Sequence, residues 1–210
     1  MAEQTQTIPI KIIMVGAMNV GKTSLVTKFA TGKFPKETKT TKNASYVIKP
    51  KKVNSLNFEI RLWDTAGQEK YKSLTKLFTK DAKIALLVYS IDDEESFNSL
   101  EEWLRLVKGT NDGNLILGVV ANKSDLASDT TINNDRGKEY AEKIGAIFKT
   151  TSALVDNGGI DELIDILFQK YYATNFNMNQ TNSLSLTLSM EDSRAEKGGC
   201  CGGGKKSSTK

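Results

Sequence analysis

The chain has 210 residues, 39% of them hydrophobic, with 29 Lys and Arg against 25 Asp and Glu for a net charge of +4. That is an ordinary globular composition, suited to one domain with a tail, and it excludes a collagen-like or wholly disordered chain. The sequence has no His, which removes the imidazole base, His metal ligands and the Ser-His-Asp triad, and the mild charge argues against a nucleic-acid partner.

Residues 1–8 are polar and are expected to fray. Ile10–Val15 is an apolar run that reads as a buried strand, stopped by Gly16. Lys22–Thr31 puts Leu25, Val26 and Phe29 on one helical face, and the polar stretch Gly32–Asn43, with Pro35 inside it, reads as a loop. Ala44–Lys49 and Leu56–Trp63 are strand-like and joined by the basic turn Pro50–Ser55, a connection short enough to imply an antiparallel hairpin. Ile84–Tyr89 and Leu115–Ala121 are continuously apolar, the pattern of parallel strands buried on both faces. Ile84–Tyr89 is also the longest wholly apolar run, far short of the roughly 20 residues of a membrane-spanning helix.

Between those strands Glu94–Lys108 reads as a helix with Phe97, Leu100, Trp103, Leu104 and Val107 on one face and an acidic start favourable at a helix N-terminus. A helix over Thr131–Ile144, a short strand at Ala146–Thr150 and a last helix from Gly159, with a stripe from Ile160 to Tyr171, complete the pattern. Such alternation predicts an α/β fold: a doubly wound, mostly parallel six-stranded sheet with one antiparallel edge strand and helices on both faces. Residues 9–173 are expected to form this domain, and 174–210, rich in Asn, Ser, Thr and Gly, a flexible tail. No apolar leader follows Met1, so cytoplasmic residence is the expectation.

The chemistry falls where strands end. Gly16-Ala17-Met18-Asn19-Val20-Gly21-Lys22-Thr23 has the G-x-x-x-x-G-K-[ST] spacing of a phosphate loop, set between a strand and a helix. Its backbone N–H groups would curl around phosphate oxygens, helped by the positive end of the helix, with Lys22 on the β- and γ-phosphates and the Thr23 hydroxyl on Mg²⁺. Ala17, Met18, Asn19, Val20, Gly21, Lys22, Thr23 and Ser24 are therefore the expected phosphate cradle. Asp64-Thr65-Ala66-Gly67-Gln68 follows the third strand. Asp64 suits Mg²⁺, usually through water; Gly67 lets an N–H approach a terminal phosphate; Gln68 has the donor and acceptor needed to orient an attacking water.

Asn122-Lys123-Ser124-Asp125 follows the fifth strand. A carboxylate at Asp125 can accept from the adjacent N1–H and N2–H₂ of guanine, whereas adenine would leave it desolvated and unpaired. Thr151-Ser152-Ala153, after the next strand, offers N–H groups for the guanine O6. Each run taken alone is also an ordinary solvated turn; their succession argues for the functional meaning.

In order and spacing these motifs resemble the Ras superfamily of small GTPases, and Trp63 to Leu74 is most similar to the Rab branch. The likeness spans roughly residues 8–173, and there is no room between Asp125 and Thr131 for the helical insert usual in the Rho branch. It implies a protein that binds GTP and GDP with Mg²⁺, slowly hydrolyses GTP and switches vesicle and membrane traffic. It implies Thr41 as the switch residue on the metal, with Thr40 as the alternative, so that Thr23, Thr41 and Asp64 would hold Mg²⁺. Gln68, Lys22 and Thr41 would be catalytic. Phe34 would lean on the base beside Asn122, Lys123, Asp125, Ser152, Ala153 and Leu154.

The same resemblance makes 36–46 and 67–78 the switch segments read by effectors, and implies an exchange factor, a GTPase-activating protein and a GDP-dissociation inhibitor or escort protein as further partners. Lys42, Asn43, Leu154 and Met18 depart from the family's pattern. At Met18 a long side chain is expected to crowd the γ-phosphate and a partner's arginine, slowing hydrolysis. No Arg of the switch segments is placed to act in cis, since Arg61 lies within a strand. The alternative is a GTP/GDP-binding scaffold with negligible hydrolysis; a P-loop kinase would need an Arg-rich lid for which the chain offers no stretch. Cys200 and Cys201, between glycines and lysines with nine residues after them, resemble the paired prenylation site of Rab tails, which implies reversible attachment to the cytosolic face of an endomembrane.

Overall fold

The fold is taken from a computed structural model that describes residues 7–36, 41, 44–66, 72–111, 113–129, 132–155 and 159–177. Six strands make one sheet in the order β2-β3-β1-β4-β5-β6. They are β1 (Thr7–Val15), β2 (Ser45–Val53), β3 (Leu56–Asp64), β4 (Ile84–Ser90), β5 (Ile116–Asn122) and β6 (Ile147–Thr150). All neighbours are parallel except β2 and β3, so the doubly wound sheet with one antiparallel edge strand is as the alternation predicts. The helices are α1 (Lys22–Thr31), α2 (Lys72–Thr79), α3 (Glu94–Asn98), α4 (Leu100–Lys108), α5 (Asn134–Ile144) and α6 (Ile160–Tyr172).

The period of two along each strand sorts the helices between the faces. Ile13, Val15, Leu87, Tyr89, Leu117 and Val119 pack with Phe97, Trp103, Leu104, Val107 and Ala141, so α3, α4 and α5 cover one face. On the other, Phe58 of β3 meets the ring of Phe168 from α6 edge-on at 5.1 Å, and Lys49 of β2 lies 4.0 Å over Phe29 of α1. β4 and β5 are buried along their whole length, as their unbroken apolar text requires.

Local chemistry moves several boundaries. β1 begins at Thr7 and pairs Thr7 and Ile8 with Asn57 and Phe58, so the strand takes in two residues of the segment expected to fray. Pro9 is tolerated within it because β4 joins β1 only from Ile12, leaving no ladder to miss its N–H on that side. β2 likewise continues through Pro50-Lys51-Lys52, expected to be a turn, because β2 is the outermost strand and its pairing with β3 holds to Val53 and Leu56. The reversal is made by Asn54 at φ 53°. The helix expected over Glu94–Lys108 is divided at Ser99, whose hydroxyl donates to the Ser96 carbonyl instead of leaving the helix ladder undisturbed.

α5 starts at Asn134 rather than Thr131, because the Asn133 side chain accepts the Asp135 N–H as an N-cap. α2 has no counterpart among the expected elements, although Leu74, Leu77 and Phe78 have helical spacing. After α6 a π-helical turn, Ala173–Asn177, stacks Tyr172 on Phe176 at 5.3 Å, so backbone order continues past the expected start of the tail. The chain divides into two units between Tyr171 and Tyr172. Cys200 and Cys201 lie outside the described residues. Among the described residues no helix is long and apolar enough to cross a membrane.

Candidate nucleotide-binding site

β1, β3, β5 and β6 all deliver their motifs to the carboxyl edge of the sheet, where α/β folds bind ligands. Leaving β1, the backbone passes under β4 at Gly16, φ 150°, where a Cβ would stand 2.1 Å from the Val88 carbonyl oxygen. Gly21, φ 92°, opens α1, and a Cβ there would lie 2.4 Å from the Asn122 amide nitrogen. Both positions therefore demand glycine. No side chain caps α1 and its own first turn holds no acidic residue, so its positive end faces the cavity. Lys22 is buried and its Nζ donates to the carbonyls of Gly16 at 2.8 Å and Ala17 at 2.7 Å. Burial pushes the amine down to about 8, against the pull of Asp64.

Next to it three oxygens converge. Thr23 donates its hydroxyl to Asp64 Oδ2 at 2.7 Å, Thr41 donates to the same oxygen at 3.2 Å, and the two hydroxyls are 2.7 Å apart. Asp64 is 3% exposed, and its Oδ1 is buried with no hydrogen-bond partner among the described residues. Burial raises the carboxyl's pKa, opposed by the Thr23 hydroxyl, Lys22 and the Thr41 hydroxyl. A carboxylate oxygen left over beside two hydroxyls fits a hard dication that takes its remaining ligands from phosphate and water, as Mg²⁺ does. Of the two threonines considered for this role, Thr41 is at the corner and Thr40 lies outside the described residues. Thr65 fixes the strand end by donating to the Met14 carbonyl at 2.6 Å.

The far end is laced together differently. Asn122, buried, donates to the Val20 carbonyl at 2.7 Å and accepts from the Thr151 hydroxyl at 3.0 Å, so one amide joins the phosphate loop to the turn after β6. Ser152 donates its hydroxyl to Asp125 and accepts the Leu154 N–H at 3.1 Å, which fixes the carboxylate's direction. Lys123 takes a left-handed backbone, φ 62°. Phe34 and Leu154, 43% and 57% exposed, stand at the cavity's rim as apolar walls able to flank a flat ring.

The cavity between these ends measures about 350 Å³, the size of a small-ligand site. Its wall takes in Met18, Asn19, Gly21, Lys22, Thr23, Ser24, Phe34, Thr41, Asn122, Lys123, Asp125, Ala153 and Leu154. Ala17, Val20 and Ser152 stand behind it and act through Lys22, Asn122 and Asp125 respectively. Gly67 and Gln68 lie outside the described residues. Thr65, on the wall, and the Thr151 side chain have no role assigned by the sequence although both stand within its motifs; a Thr hydroxyl gives no signal until its partner carbonyl or amide is known.

The family model described as the Ras family matches residues 11–173. The chain belongs to the Ras family. This Ras-family chain is 34% identical to Ras-related protein RABA1b of Arabidopsis thaliana over 164 residues, 78% of this chain and 76% of that one. It is 35% identical to Ras-related protein Rab-11B of Dictyostelium discoideum over 176 residues, 84% and 79% of the two chains. It is 29% identical to Ras-related protein RIC2 of Oryza sativa subsp. japonica over 211 residues, 96% and 97%. The resemblance to Rab proteins is thereby met by relatives that carry Rab names, and the coarse assignment is that of a small GTPase, a guanine-nucleotide-binding switch of a family that works with Mg²⁺.

Proposed function

We propose that this Ras-family protein is a Rab-type switch that binds GTP and GDP with Mg²⁺, hydrolyses GTP slowly and acts in vesicle and membrane traffic. The observation that carries this is the convergence of Lys22, Thr23, Thr41 and Asp64 at one end of the cavity and Asp125 at the other. Thr23, Thr41 and Asp64 would hold Mg²⁺, which supplies charge neutralisation at the β- and γ-phosphates. Lys22 is already held over the loop carbonyls and would exchange them for phosphate oxygens. Phosphoryl transfer needs positioning and electrostatics more than covalent help, so Gln68 is assigned the orientation of water and no further protein base is required. Met18, 43% exposed on the cavity wall, would crowd the terminal phosphate and so slow turnover.

Partners would read the nucleotide state through 36–46 and 67–78. In support, Tyr46 stacks on Trp63 at 4.6 Å and Trp63 on Phe78 at 6.0 Å, an aromatic strip joining the two segments, with Tyr46 exposed. An exchange factor, a GTPase-activating protein and a GDP-dissociation inhibitor or escort protein complete the cycle, and lipid on Cys200 and Cys201 would hold the protein on the cytosolic face of an endomembrane. Single-turnover assays test the chemistry: GTP is consumed only with Mg²⁺ and is not displaced by ATP. Gln68→Leu retains GTP, and Met18→Ser speeds its loss; turnover unaltered in Gln68→Leu refutes that residue's role. Bare thiols on the native protein by mass spectrometry would remove the anchor.

A further inference from the structure

Asp92 stands just past the carboxyl end of β4, outside the phosphate and base motifs, yet its carboxylate faces Lys123. Its Oδ1 accepts from the hydroxyl of buried Ser90 and lies 3.5 Å from Lys123 Nζ. The segment that carries it has little freedom. The Ile91 N–H donates to the Asn122 carbonyl at 3.1 Å, the Asp93 N–H donates to the Ser90 carbonyl at 3.1 Å, and the Asp93 side chain caps α3. Asp92 is thus fixed to the same strand end from which Lys123 departs. Lys123 leaves β5 with a left-handed backbone, a conformation uncommon for a residue with a Cβ, and is one of the residues that line the cavity. A lysine stem has four rotatable bonds, so nothing in the backbone alone keeps it against the cavity. Against partial burial, the Ser90 hydroxyl and Lys123 together hold the Asp92 carboxyl below its usual range, so it is a carboxylate at neutral pH.

We propose that Asp92 is a positioning residue for guanine nucleotide: through its ion pair it holds the Lys123 side chain along the cavity wall and so sets how long the nucleotide stays bound. This rests on the nucleotide-binding function proposed above. Both partners are about one-third exposed, 32% for Lys123 and 30% for Asp92, so the coupling is that of a partly screened pair rather than a buried one.

The test is release of a fluorescent GDP analogue from the full-length protein, chased with excess GDP in Mg²⁺. Asp92→Ala speeds release about fivefold, the scale of a partly screened ion pair that also orders a side chain. Asp92→Asn, the same size and still able to accept from Ser90, speeds it at least twofold. In a Lys123→Met background Asp92→Ala adds less than twofold, because the group it positions is gone; a merely structural role would give the same factor in both backgrounds. Release within twofold of wild type for both Asp92 variants, or factors that multiply, overturns the proposal while leaving nucleotide binding intact. Failure of the wild-type protein to hold the analogue overturns the binding function and this inference with it.

Discussion

The two ends of the cavity solve the same problem in opposite ways. At the base end the polar groups satisfy one another: Asn122 is shared between Val20 and Thr151, and Ser152 steers Asp125. At the phosphate end they are crowded and incomplete. Lys22 is buried with its charge penalised, Asp64 is buried with one oxygen unmatched among the described residues, and the anion that pulls on Lys22 is that same Asp64. The base end is held in shape by the fold, whereas the phosphate end is charged in a way that only an anion and a dication together complete. Selectivity can therefore be rigid while the phosphate end responds to what is bound, which is the division of labour a switch needs.

The largest expected effect breaks the rigid end. Asp125→Ala would remove the acceptor proposed for two guanine donors and strand the Ser152 hydroxyl, so GDP affinity by calorimetry should fall on the order of 10³-fold. A loss under tenfold would mean that this carboxylate does not read the base. Lys22→Met should weaken GDP by roughly 100-fold, since a charge-assisted contact is lost. It should also raise the melting temperature of the nucleotide-free protein, because the desolvation cost of the buried cation outweighs the pull of Asp64 and disappears with the charge. Opposite signs in the two measurements are the mark of an end built for its ligand; a parallel fall would assign Lys22 a structural role.

Asn122→Ala strikes the amide that joins the two ends. It leaves the Val20 carbonyl and the Thr151 hydroxyl short of a partner and should cost about 2–3 kcal/mol in urea denaturation of the empty protein. It should also shift affinity for GDP by a comparable factor. A stability change without an affinity change would separate the ends and remove the coupling on which the comparison depends.

The same contrast governs what could be read in advance. Both ends announce themselves, because Gly16, Gly21, Lys22 and Thr23 or Asn122 and Asp125 are local in sequence and bound to strand ends by spacing. Thr41 was placed only by likeness to a family, since a loop threonine eighteen residues from its partner Thr23 has no periodicity to betray it. The role of Thr65 depends on the Met14 carbonyl across the sheet, and Asp92 on a lysine thirty-one residues away; such pairings exist only once the strands are in register. The extension of β2 past Pro50 was hidden for another reason: proline signals a turn unless it is known that the strand is outermost.

The smallest effect sharpens the comparison through pH. In the empty protein Lys22 titrates at about 8, below its ordinary 10.5, so between those values the unfolded chain holds a proton that the folded one has released. Stability then rises with pH across that window, the sign required when the unfolded state binds more protons. From pH 8 to 9.5 the gain is on the order of 1–2 kcal/mol, visible as a few degrees in the melting temperature of protein stripped of nucleotide by chelation. Lys22→Met should flatten the rise, and loading with GDP and Mg²⁺ should flatten it too, because the phosphates restore the lysine's charge. A slope that survives both would place the titrating group elsewhere and leave the phosphate end no more responsive than the base end.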